Sequence, residues 1–280
     1  MVIIEGIEEM KKRVQEEKKK ARSISFVPTM GAIHEGHLSL VKRAKSLADI
    51  VVASVFVNPT QFSPTEDFEN YPRNRDLDIE KLEKEGVDLL FFPTAAQLYP
   101  KGFSTWIVPE GPARRFEGFA RPGHFQGVCT IVAKLFAIVE ADYAIFGWKD
   151  AQQVVVVKKM AEDLNIPVKI VASPILRDSD GLALSSRNVY LSPEERKRAL
   201  AFPMALQKIA RMVELGIEER MKPLIAKGKD EMSRAGLEIE YLEGVNLLDL
   251  TQAEKVGRMT GIIGAVRSGK VRLLDAIIWE

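Results

Sequence analysis

The sequence predicts an α/β chain: a doubly wound parallel sheet with helices on both faces, followed by a smaller C-terminal α+β domain. Three observations carry this. Short, continuously apolar runs such as IVVASVFV at 50–57 suit strands buried on both faces of a parallel sheet. They alternate with helix-period stretches, the pattern of right-handed βαβ crossovers. After about Arg187 the alternation gives way to two charged helical stretches and then three extended ones.

Taken in order, 23–27 reads as a strand, 37–47 as a helix and 50–57 as a strand. A helix over 77–85, an extended run at 89–92 and a helix over 127–139 follow. A strand at 143–146, a helix over 151–164 and a strand at 168–172 complete the first domain. The second has helices over 193–215 and 218–235, then extended segments at 238–246, 260–266 and 271–278. The expected division is 1–176 and 177–280, with the smaller domain covering the site.

Composition narrows the function. Lys plus Arg is 40 against Asp plus Glu at 39, so no basic excess points to a nucleic acid or a membrane surface. A local basic pocket for phosphates stays open. The lone Cys129 lies in an apolar run and reads as a buried structural thiol, with no disulfide framework. The N-terminal stretch MVIIEGIEEMKKRVQEEKKK is amphipathic and mixed in charge, unlike a signal peptide, and no later segment has spanning length. A cytoplasmic protein is expected.

Chemistry concentrates first at 28–37, PTMGAIHEGH, between the first strand and the first helix. A strand-to-helix turn aims backbone N–H groups and the positive helix end at an anion. Gly31 and Gly36 let the backbone come close to a phosphate. His34 and His37 share the first helical turn and are suited to donate to phosphate oxygens. Zinc is the competing reading, with His124 as third ligand, but HEGH is not HExxH and the glycines would go unexplained.

A second cluster, Gly147, Trp148, Lys149 and Asp150, stands at another strand-to-helix junction. There Lys149 suits a phosphate, and Asp150 suits a helix cap or a ribose hydroxyl. A third, Leu184, Ser185, Ser186 and Arg187, offers hydroxyls and a guanidinium fork for leaving pyrophosphate. The run GAVRSGK at 264–270 imitates a phosphate loop. Val271 follows instead of Ser or Thr, however, and the run joins two strand-like segments, so Arg267 to Lys270 read as a hairpin turn.

The HxGH spacing resembles that of the nucleotidyltransferase superfamily, which includes class I aminoacyl-tRNA synthetases. Its order with NPTQF (58–62), YPR (71–73), RPGHF (121–125), GWKDAQQ (147–153) and LSSRN (184–188) resembles the pantothenate synthetase family, or pantoate–β-alanine ligases. That resemblance implies a Rossmann-like sheet and an ATP-dependent ligation of pantoate to β-alanine with Mg²⁺, in a homodimer. It runs from about Phe26 to Tyr190, and the C-terminal AVRSGKVRLLD also fits.

Carried over residue by residue, Met30, Gly31, Ala32, Ile33, His34, Glu35, Gly36 and His37 hold ATP. Gly147, Trp148, Lys149 and Asp150, the backbone of Leu176, and Leu184, Ser185, Ser186 and Arg187 complete the nucleotide ligands. His34, His37, Lys149 and Arg187 take the catalytic roles, and Gln61 and Gln153 hold pantoate. Asp78 is the implied Mg²⁺-site residue, or an acid that only complements a helix dipole. Thr60 and Leu184 depart from a frequent Met, and Trp148 from a smaller or charged residue.

The implied chemistry has two steps. Pantoate attacks the α-phosphorus and pyrophosphate leaves; β-alanine then attacks the acyl-adenylate and AMP leaves. The loop 62–70 is expected to cover the site. The rivals are a transferase that makes a dinucleotide and a nucleotide-sensing module without turnover.

Overall fold

A computed structural model describes residues 1–64 and 66–280. The chain divides into two compact units: 1–147 with 156–173, and 148–155 with 174–280. The second unit therefore takes eight residues, 148–155, that a single cut at 176 leaves in the first.

In the first unit, β1 (Val2–Ile4), β2 (Ile24–Thr29), β3 (Ile50–Val55), β4 (Leu89–Phe91), β5 (Tyr143–Gly147) and β6 (Lys169–Ser173) form one sheet. Their order is β1-β4-β3-β2-β5-β6 and every pairing is parallel. This is the doubly wound, Rossmann-like arrangement expected. The chain winds one way from β2 through β3 and β4, and the other way through β5 and β6. The reversal lies between β2 and β5, where open α/β sheets place their ligands at the carboxyl ends.

The helices of this unit are α1 (Ile7–Lys19), α2 (Glu35–Lys45), α3 (Arg75–Glu85), α4 (Ala95–Leu98), α5 (Glu117–Ala120) and α6 (His124–Val139). A seventh, α7 (Ala151–Asp163), starts in the second unit and ends in the first. Val27, Val41, Ala53, Leu90 and Ile145 are buried together in the first unit's core. All six residues of β3 are buried, as a strand covered on both faces requires.

Helix starts fall earlier than apolar periodicity suggests, because polar caps extend them. Helix α2 begins at Glu35 behind a cap formed by His34, and α3 at Arg75, where Asn74 Oδ1 accepts from Leu77 N–H. Helix α6 begins at His124, directly after Gly123 turns the chain at φ +83°. Strand β1 lies inside the N-terminal stretch, where no strand was expected; its three residues pair with β4 at the sheet edge.

The second unit contains α8 (Pro193–Ala199), α9 (Ala201–Glu214) and α10 (Met221–Arg234), then β7 (Glu238–Asn246), β8 (Thr260–Ser268) and β9 (Val271–Trp279). The expected single helix 193–215 is two. Pro203 stands at the third position of α9, where a missing N–H leaves no helical bond unmade. Helix α10 starts after 218–220 because the Glu218 carboxylate accepts from the N–H groups of Glu219 and Arg220. The sheet is an antiparallel meander, β7-β8-β9. Ser268 pairs with Val271 across Gly269 (φ +60°) and Lys270, so GAVRSGK is strand and hairpin rather than a phosphate loop. No helix among the described residues is long and apolar enough to cross a membrane.

Candidate active site

Strand β2 ends at Thr29 and the chain turns sharply before α2. Gly31 takes φ +84° and Ala32 φ +51°, the left-handed region twice in succession. Asp78 on α3 holds this conformation: its Oδ2 accepts from Ala32 N–H at 2.9 Å and its Oδ1 from Ile33 N–H at 2.7 Å. Lys81 Nζ donates to the Ile33 carbonyl at 2.6 Å. A Cβ on Gly31 would stand 2.8 Å from Asp78 Oδ2, so only glycine lets the clamp close. Burial raises the Asp78 pKa above the ordinary carboxylate value, against the two backbone bonds and the Lys81 charge.

The two histidines cap α2 reciprocally. His34 Nδ1 accepts from Gly36 N–H at 3.1 Å, and His37 Nδ1 accepts from His34 N–H at 3.4 Å. Their rings lie 4.0 Å apart at 31°. This is a capping box in which imidazoles replace the usual hydroxyl and carboxylate. A nitrogen that accepts carries no proton, so each neutral ring bears its hydrogen on Nε2. Local folding thus yields two neighbouring Nε2–H donors at the positive end of a helix.

Gln61 ends a 3-10 turn, Pro59–Gln61, and is buried. Its Oε1 accepts from Asn58 Nδ2 at 3.1 Å, and its Nε2 lies 3.0 Å from Met30 Sδ. A thioether is a weak acceptor, which an incoming oxygen readily replaces. Asn58 is held in turn by Tyr99 and Thr60, whose hydroxyls donate to its Oδ1, and donates to the Gly127 carbonyl. Met30, the 31–33 turn, the histidine pair, Asp78 and Gln61 therefore belong to one connected set in the first unit.

The second unit gathers the other candidates. Strand β9 packs against both Trp148–Asp150 and Ser186–Tyr190. Lys149 Nζ pairs with Asp150 at 3.0 Å. Ser185 caps the 186–190 turn by accepting from Arg187 N–H. Leu176 accepts through its carbonyl from Leu184 N–H, and Arg177 makes a bidentate pair with buried Asp275 at 2.6 and 2.9 Å. Arg196 ties down Asp178 and Asp180. The 176–188 segment is thus a braced hairpin. Gln153 is half-buried on α7, while its neighbour Gln152 is fully buried.

Both oxygens of Asp78 are engaged by main-chain N–H groups, so it serves as a turn clamp. Among the described residues no three His, Cys, Asp or Glu side chains stand together as metal ligands. His124, the third histidine of the zinc reading, is engaged by the Gln61 carbonyl and Arg121 instead. Within the loop expected as a cover, Thr65 lies outside the described residues. Burial raises the Cys129 thiol to about 12, which leaves it unreactive.

Sequence reasoning assigned nothing to Asn58, Tyr99 or Arg121, although NPTQF and RPGHF contain two of them; a polar residue inside each motif was the available signal.

Comparison with known proteins adds an independent line. The family model described as Pantoate-beta-alanine ligase matches residues 2–278. Pantothenate synthetase from Thermotoga neapolitana is 49% identical over 279 residues, covering 99% of both chains. The one from Acetivibrio thermocellus is 44% identical over 283 residues, covering 100% of both. Among solved structures, pantothenate synthetase from Thermus thermophilus superposes with a TM-score of 0.93 at 41% identity, covering 100% of both chains. Pantoate-beta-alanine ligase from Francisella tularensis, complexed with beta-gamma ATP and beta-alanine, gives 0.79 at 34% identity, covering 99% and 97%. With nearly every residue matched, this chain belongs to the pantoate-beta-alanine ligase family.

Proposed function

We infer that this chain is an AMP-forming ligase that joins pantoate to β-alanine with consumption of ATP. The observation that carries the reading is the histidine capping box, which presents two Nε2–H donors at a helix N-terminus. A pantoate carboxylate oxygen attacks the α-phosphorus, and the bond to the β-phosphate oxygen breaks. His34 and His37 donate to the oxygens on which negative charge accumulates, in positions fixed before reaction begins. The β-alanine amine then attacks the acyl carbon; the carbon–oxygen bond to AMP breaks and the amine gives up its proton.

Met30 to His37 form the phosphate cradle. Gly147, Trp148, Lys149, Asp150, Leu176, Leu184, Ser185, Ser186 and Arg187 are the remaining nucleotide ligands, with Lys149 and Arg187 neutralising phosphate charge. Gln61 and Gln153 bind pantoate, an acid whose hydroxyls and carboxylate suit carboxamides. Mg²⁺ would offset the phosphate charge of the nucleotide, and we read Asp78 as the clamp of the 31–33 turn rather than its ligand, because each of its oxygens already accepts a main-chain N–H. A single buried cysteine suits a reducing compartment, and we place the enzyme in the cytoplasm. The homodimer is carried over from the resemblance.

Rapid-quench measurement tests the order of events. With ATP, Mg²⁺ and pantoate, pyrophosphate should appear in a burst approaching one per site, and AMP promptly only on adding β-alanine. His37→Ala should slow the burst by about 10²–10³, with His34→Ala milder. Pyrophosphate and AMP appearing together, both strictly dependent on β-alanine, would rule out the two-step scheme.

A further inference from the structure

The main-chain carbonyl of Gln61 closes a one-turn helix, so no ladder partner is available to it. Two side chains from a segment some 60 residues away supply one. His124 Nδ1 lies 2.8 Å from this oxygen and Arg121 Nη2 lies 3.4 Å from it, at separations of 63 and 60 residues. A carbonyl only accepts, so His124 carries its proton on Nδ1 and its Nε2 accepts from Arg121 Nη1 at 3.1 Å. Arg121 is itself gripped by Glu66, Nε to Oε1 at 2.7 Å and Nη2 to Oε2 at 2.8 Å, with Glu117 Oε2 at 3.9 Å. Arg121 donates to Glu66 on one side and to His124 on the other, and His124 donates to the Gln61 carbonyl.

One turn further along α6, the helix backbone presses on the same 3-10 turn. A Cβ on Gly127 would stand 2.3 Å from the Thr60 carbonyl oxygen and 2.7 Å from Gln61 N. Packing alone would therefore hold a turn here. A buried histidine bound to an arginine that a carboxylate holds is a costly means of adding to it. What the chain adds is a fixed direction for the residue whose carboxamide rests against the weak acceptor Met30 Sδ.

We propose that Arg121 and His124 are positioning residues for pantoate, acting through Gln61 by orienting its main chain. The proposal rests on the assignment of Gln61 to pantoate, and the experiment separates the two. Steady-state kinetics would compare Gln61→Ala, His124→Ala, His124→Asn, Glu66→Gln and the double variant Gln61→Ala/His124→Ala, each checked by thermal unfolding. His124→Ala should raise KM for pantoate about 10-fold, the scale of one misplaced hydrogen bond, and leave KM for ATP unchanged. His124→Asn should recover most of the loss, because its amide nitrogen falls near the position of Nδ1. The double variant should be no worse than Gln61→Ala, as residues acting through one contact are not additive. Glu66→Gln, at a partly exposed side chain, should move the same KM even if His124→Ala folds poorly. Equal rises in both KM values, or additive losses in the double variant, would overturn the proposal. If Gln61→Ala raises KM for pantoate and a folded His124→Ala does not, the positioning role alone fails. If Gln61→Ala leaves it unchanged, the substrate assignment fails and takes the proposal with it.

Discussion

The three histidines of this chain are set in opposite tautomers by their surroundings. His34 and His37 accept backbone N–H groups at Nδ1, while His124 donates from Nδ1 and accepts at Nε2. Burial and the Arg121 charge push His124 down to about 4, against the pull of the Gln61 carbonyl, Glu117 and Glu66. The unfolded chain therefore binds a proton between about pH 6.5 and 4 that the folded chain refuses, and stability falls as pH falls. The slope is about 1.4 kcal/mol per pH unit within that window, roughly 3 kcal/mol at its lower end. Glu66, held low by Arg121 despite burial, adds to the loss only below its ordinary range, whereas Asp275, raised by burial, opposes it. Denaturant unfolding of wild type and His124→Asn at about pH 6.5 and about pH 5 should show a flatter decline in the variant. Parallel declines would refute a neutral, buried His124. HEGH was legible as a glycine turn with two neighbouring imidazoles before a helix, whereas the capping of that helix by the imidazoles was not. The partner of His124 is a carbonyl 63 residues away, and a main-chain oxygen leaves no mark in a sequence.

Among elements, the 30–33 turn and α3 form a device in which neither part is informative alone. A carboxylate in the first turns of a helix reads as a dipole partner or a metal ligand; its engagement with Ala32 and Ile33 exists only in the fold. Asp78→Asn keeps one acceptor but sets an amide N–H against a backbone N–H. An unmade buried bond of about 1–3 kcal/mol corresponds to about a 10-fold weaker ATP. The Mg²⁺ activation midpoint at saturating ATP should stay where it is, since the turn and not the ion has been disturbed. A shifted midpoint with unchanged ATP affinity would restore Asp78 to the metal. Strand positions were legible from apolar runs, and element ends were not: the cap at Asn74, the αL Gly123 and the Glu218 bonds to its own neighbours move each start by a few residues.

At the scale of the molecule, two of the buried clusters formed by the described residues lie in different units. Val27, Val41, Ala53 and Ile145 belong to one, and Phe202, Leu206, Leu242 and Ile262 to the other. The assignment of 148–155 to the second unit could not be read from the sequence, because GWKD follows β5 directly and looks like its continuation. What draws it there is distant: β9 packs on 148–150, and Trp148 Nε1 donates to Glu280 Oε1 at 3.0 Å, 132 residues away. The bidentate Arg177–Asp275 pair bridges the 176–188 hairpin and β9 inside this unit, with Asp275 fully buried. Removing one partner of such a pair leaves an uncompensated charge and costs about 3–5 kcal/mol. Separate cores make that loss local. In Asp275→Ala, amides of β7, β8 and β9 should exchange hydrogen faster while those of β2, β3 and β5 keep their protection, measured by peptide-resolved mass spectrometry. Equal loss of protection in both sheets would mean that the two units unfold as one.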